Sequence, residues 1–223
     1  MANEYATVAL NHLLRDALPH LPGVVMQVAQ DEFRLTLREF FEKSFAWTKT
    51  VKDVAVTTGE TPIQVDAGDA NAEVIGILNV AIGKAGEGYQ NLTPLAGRPV
   101  NESTVGGVPS YFYITSNPDE FCLYPYMDAA GGYDLTIEVA LIPDFNADAS
   151  YNNIPRQILL KYYDAIMQGF LARMFGHPNK PYSAPLVAQQ YRHNFLRAIG
   201  FYAAQRKSGY NGAQNWVYPK GWR

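Results

Sequence analysis

Apolar positions along this chain keep two rhythms, a helical one at both ends and a strand-like one between. Val8, Leu10, Leu13, Leu14 and Leu18 recur at helical spacing and predict a first helix over residues 4–17. Pro19, Pro22 and Gly23 interrupt the chain in "LPHLPGV". A longer helix is then predicted from about Val24 to Trp47. Val25, Ala29, Phe33, Leu37, Phe41 and Phe45 repeat every fourth residue along it, with Phe40 beside them. Arg34, Arg38, Glu39, Glu42 and Lys43 fall on its polar side.

From Thr48 the period shortens. "TVKDVAVTT" and "PIQVD" flank Thr58-Gly59-Glu60 as a hairpin would. "EVIGILNVAIG" at 73–83 reads as a buried strand, and the Gly- and Pro-rich residues 84–109 as a long, irregular loop. "SYFYITS", "EFCLYPYM" and "YDLTIEVALI", separated by turn sequences, predict a three-strand antiparallel meander. In the last, Leu135, Ile137, Val139 and Leu141 alternate with Thr136, Glu138 and Ala140. Helix resumes with Ile158, Leu159, Tyr162, Ile166, Phe170, Leu171 and Met174 on one face and Gly176 as C-cap. Ser183 is the expected N-cap of a last helix carrying Val187, Tyr191, Phe195, Ile199 and Tyr202.

Single apolar stripes need partners to bury them. The expectation is therefore an α+β chain. Helical pairs at 1–47 and 151–208 form a four-helix bundle, 48–150 form an inserted antiparallel β-rich domain, and 209–223 an extended tail.

Composition narrows the function classes. Of 223 residues, 48% are apolar and 17% charged, which a globular chain needs and a disordered one lacks. The net charge of -3 gives no basic footprint for gripping nucleic acid. One cysteine, Cys122, excludes an intrachain disulfide framework and suits a reducing cytoplasm. No apolar run is long enough to span a membrane, and "MANEYATVALNHLLRD" lacks the order of a signal peptide. Fifteen tyrosines are an unusual load, suited both to strand packing and to surfaces that become buried on association.

Candidate chemistry is thin. "GKAGEG" at 83–88 lacks the Gly-Lys-Ser/Thr ending of a phosphate loop. His12, His20, His177 and His193 have no second ligand at zinc-binding spacing, and His193 reads as solvated. Cys122 between Phe121 and Leu123 reads as a core thiol. Asp31 with Glu32, or Glu39 with Glu42, are acids of a solvated helix face rather than a glycosidase pair. No catalytic, cofactor-binding or metal-binding residue is expected, and surfaces are left to carry the function.

Two stretches resemble the head-to-tail adaptor proteins of tailed bacteriophages. One is "LPHLPGV" followed by the helix ending "REFFEKSFAW". The other, at 158–199, fills a "YxDAIxxGxLARL" pattern with Tyr163, Asp164, Ala165, Ile166, Gly169, Leu171, Ala172 and Arg173. Pro178, Lys180, Pro181, Tyr182 and Ser183 then fill a "PxKPWS" connector, with Tyr182 where Trp is commoner. The resemblance covers about half the chain and implies a ring subunit of about twelve copies beneath the portal protein of the virion. Such a ring extends the channel through which DNA passes unread, and offers a platform to the tail or nozzle. No cofactor and no membrane is implied. The tail residues Tyr210, Trp216, Tyr218, Lys220, Trp222 and Arg223 are the expected portal contacts, since aromatic and Arg side chains anchor interfaces. Another phage neck or tail-completion subunit, or a tail-borne cell-wall hydrolase, are the alternatives. A carboxylate of raised pKa in a cleft would favour the hydrolase.

Overall fold

The computed structural model describes residues 14–69, 72–84, 87–99, 106–127, 131–144 and 155–208. They group into two compact units. One holds the described residues within Trp47–Leu159, the other those within Asn11–Ala46 and Leu160–Arg223.

The helical unit corrects the fold expected from the sequence, because it is not a four-helix bundle. The described residues form three α-helices: α1 (Met26–Ser44), α2 (Arg156–Phe175) and α3 (Pro185–Ser208). Most of the predicted first helix lies outside the described residues. Where description begins, Leu14 passes through turns into a 3-10 helix at Leu18–His20, with Pro19 in its opening positions. Leu14, Ala17 and Leu21 are buried, so this turn covers part of the core.

Aromatic bulk fills the core between the three described helices. Phe33 of α1 meets Phe170 of α2 edge to face, their centroids 5.5 Å apart. Phe40 stands among Tyr162, Phe195 and Tyr202 at 5.3, 6.3 and 5.9 Å. Each such ring buries more apolar area than an aliphatic side chain, and each pairing adds about 1 kcal/mol. Many of the tyrosines are thus packing elements: Tyr162, Tyr182, Tyr113 and Tyr126 are all buried. Gly169 lets the helices approach. A Cβ there would lie 2.6 Å from the Phe195 ring and 2.7 Å from Cγ2 of Thr36. Pro185 opens α3 at its first position, where its missing N–H costs nothing, so Ser183 is not the cap.

The described residues of the β-rich unit form eight strands in two sheets, ordered β1-β8-β3-β4 and β2-β7-β6-β5. In the first sheet β1 (Thr48–Ala55) and β3 (Ala72–Lys84) flank the central β8 (Tyr133–Pro143), with β4 (Gly88–Asn91) outermost. Leu135, Ile137, Val139 and Leu141 of β8 are all fully buried. Each contributes roughly 2 kcal/mol of transfer free energy. The second sheet holds β2 (Ile63–Gln64), β5 (Thr93–Leu95), β6 (Tyr111–Ile114) and β7 (Glu120–Tyr124).

Three expectations for the insert change. β1 and β2 are not a hairpin: β1 pairs with β8 and β2 with β7. The meander ends after β6 and β7, because β8 leaves for the other sheet. The Gly/Pro-rich stretch supplies β4 and β5, and β5 runs parallel to β6, so the insert is not wholly antiparallel. Bulges also hide β3 from a period-two reading. Its register slips at Val74/Gly76 and Ile77/Asn79, which puts Val74, Ile77 and Val80 on the buried side at intervals of three.

Candidate functional site

The six tail residues predicted to bind a partner, Tyr210, Trp216, Tyr218, Lys220, Trp222 and Arg223, lie outside the described residues. What the structure brings together is a cluster of charge inside the helical unit.

Glu39 was expected on the polar side of α1, yet it is 9% exposed. Three cations converge on its carboxylate. Arg192 of α3 donates from both terminal nitrogens, at 2.8 and 2.6 Å. Arg173 of α2 donates at 2.9 Å, and Lys43, one turn along α1, at 2.6 Å. Two-pronged guanidinium–carboxylate pairing fixes direction as well as distance, so this one acid ties three helices. The Arg192 pair holds the Glu39 carboxyl down at about 2, against the opposing effect of burial, with Lys43 and Arg173 assisting. Glu39 in turn raises the Arg192 guanidinium. Two turns back, Glu32 faces Arg173 at 3.5 Å and Nε2 of His177 at 3.0 Å. Thr36, buried between the two acids, donates to the Glu32 carbonyl at 2.8 Å.

The hydroxyl of Tyr163 donates to Asp16 at 3.0 Å. Burial first, then that acid, push the phenol up to about 12.

No protein-family model matches the chain, and no curated protein matches it.

The positions that carry the adaptor-like pattern are therefore judged by what they touch. Ala165, Ile166, Leu171 and Ala172 are buried, Gly169 sits under Phe195, Arg173 binds both acids, and Tyr182 is buried. Asp164 alone among the central positions of the pattern is exposed. The motif encodes helix packing. His177 and Arg192 escaped the sequence reading because their partners lie 145 and 153 residues away. A missed signal was available: Glu32, Thr36 and Glu39 each stand one position before a buried residue of α1, namely Phe33, Leu37 and Phe40.

The β-rich unit holds an open cavity of about 460 Å³, lined by Glu60, Pro62, Arg98, Tyr113, Ile114, Thr115 and Cys122. Arg98 pairs with Glu60 at 2.5 Å, and the hydroxyls of Tyr113 and Tyr126 lie 3.3 Å apart. Burial pushes the Cys122 thiol and both phenols up. A thiol so placed stays protonated and is a poor nucleophile. Among the described residues no three His, Cys, Asp or Glu side chains converge as a metal site, and no described helix is long and apolar enough to cross a membrane. His193 is exposed.

A general acid needs a carboxyl raised towards neutral pH. The most buried carboxylate among the described residues, Glu39, is shifted the opposite way. Its arrangement is a clasp.

Proposed function

We propose that this chain is a structural subunit of a bacteriophage head-to-tail adaptor ring. It docks under the portal, extends the DNA channel and receives the tail or nozzle protein. One observation carries the proposal: the adaptor-like pattern at 163–173 coincides with residues that lock three helices, from Gly169 under Phe195 to Arg173 on Glu32 and Glu39. A motif spent on rigidity suits a body that is stacked and loaded along its channel, and the lowered Glu39 argues against the hydrolase alternative. The net charge of -3 also fits a channel along which DNA slides, since a basic lining would hold phosphate by counterion release.

Attachment is assigned to Tyr210, Trp216, Tyr218, Lys220, Trp222 and Arg223. One such tail binds weakly, because ordering a dozen residues costs more than one or two aromatic anchors return. Around a ring the later tails act at high effective concentration. The test is to mix the protein with the portal of the same virion and image the particles. An added ring with the portal's symmetry is expected, lost on deletion of 210–223 while the helical unit melts unchanged. Portal decoration that survives the deletion, or no ring with the full chain, contradicts the proposal.

A further inference from the structure

The small net charge of this chain is the remainder of two large opposite ones. Residues 47–159, the span of the β-rich unit, contain 14 Asp and Glu against 5 Lys and Arg, a charge of -9. Residues 11–46 and 160–223, the span of the helical unit, contain 6 acids against 13 bases, a charge of +7. No acid follows Asp164. The total of -3 conceals this division because it averages over both units.

The structure turns both charges outward. Among the described residues no acid of the β-rich unit is buried, and Glu73 and Glu87 are exposed. Asp66, Glu73 and Asp119 gather around an open cavity of about 420 Å³. Few cations answer them, since Arg98 pairs with Glu60 and Lys49 donates to the Ala67 carbonyl. In the helical unit it is the acids that are consumed. Glu39 holds Arg192, Arg173 and Lys43, Glu32 holds Arg173 and His177, and Asp31 holds Arg34. Arg38 has Glu42 one turn along α1. Lys180, in the connector between α2 and α3, and Arg197 on α3 are exposed in a stretch of chain that contains no acid at all.

We infer that copies of this chain hold one another by this division: the acidic β-rich unit of one copy docks on the cationic connector and α3 of the next. The inference rests on the ring reading above and supplies the attraction between ring neighbours. Two β-rich units repel each other, and so do two helical units, which disfavours a contact that closes a pair through like surfaces. Unlike surfaces that meet make a head-to-tail contact, which repeats around an axis.

The test uses the full chain in sedimentation at rising concentration. Raising salt from about 0.1 M to about 1 M shortens the reach of charge from about 10 Å to about 3 Å, so self-association of the unaltered chain should weaken at least ~tenfold. One variant carries Glu73→Lys with Asp119→Lys, another Lys180→Glu with Arg197→Glu. At low salt each should weaken association at least ~tenfold, because each sets like charges across the contact. Mixing the two variants should restore it. The β-rich unit that has gained cations then meets the helical unit that has gained anions, and the two unaltered surfaces meet each other. Charges that cancel only within a chain would leave the mixture as weak as its parts, which would overturn the inference. So would association indifferent to salt, or a chain that stays monomeric at every concentration. The salt series needs no substitution and decides the matter even where a variant fails to fold. Duplex DNA retained by the unaltered chain at about 0.15 M salt, and released by Lys180→Glu with Arg197→Glu, would assign those cations to a polyanion and also overturn it. Chains that associate as described but add no ring to the portal would leave this contact standing and remove the adaptor reading. A ring on the portal formed equally well by either variant alone would do the reverse.

Discussion

Glu39→Gln keeps the shape of the side chain at the centre of the clasp and removes its charge. In the folded chain Glu39 titrates at about 2 instead of 4.5. At ~1.4 kcal/mol per pKa unit, that gap corresponds to about 3 kcal/mol held by the ionised form. The side chain is only 11% exposed, so solvent screening removes little of it. Because the folded pKa is depressed, the contribution is complete above the unfolded value of 4.5 and disappears as pH falls through about 2. At neutral pH the variant also leaves Arg192 and Lys43 without their anion and Arg173 with Glu32 alone, which raises the cost further. Urea melts of both proteins, followed by far-ultraviolet circular dichroism, give the difference at each pH. The expected gap is about 3 kcal/mol at neutral pH and shrinks towards zero near pH 2. A gap that does not change with pH, or one below ~1 kcal/mol at neutral pH, would show that the clasp behaves as an ordinary surface ion pair.

Gly169→Ala should destabilise the helical unit by about 1–2 kcal/mol net, the clash with Phe195 exceeding the gain in helix propensity, as a thermal melt will show. Gly200→Ala in α3 has open space around it and should instead raise stability by about 0.5–1 kcal/mol in the same assay; a loss there would contradict the packing described. Cys122 should resist a thiol reagent at mildly alkaline pH and react quickly once urea unfolds the β-rich unit, and rapid labelling of the native chain would refute its burial. Phe45 ends α1 in the left-handed conformation at φ 50°, so Phe45→Gly should relieve roughly 1 kcal/mol of backbone strain, measured as a higher melting temperature.

The middle of the α1 stripe from Ala29 to Phe41, the alternation of β8 and most of the apolar faces of α2 and α3 were legible in the chain because each is set by neighbours within a turn or a pleat; Val25, Phe45 and Val187, expected on those faces at or near helix ends, are exposed. Local spacing alone decides which side of such an element is apolar. The partner of an element is a different matter. β1 and β2 look like a hairpin until β8, far along the chain, takes the first and β7 the second. The bulges of β3 turn an irregular apolar run into a regular buried side, and they exist only against β8. A stripe says that it must be covered and not by what: rings as large as Phe33, Phe40 and Phe170 fill the space between the three described helices. Glu39 shows the same division most sharply. By position it belongs to a helix's polar side. Only the folded chain places Arg192 and Arg173 beside it, and low-dielectric surroundings with three cations then turn an ordinary surface acid into the clasp of the unit.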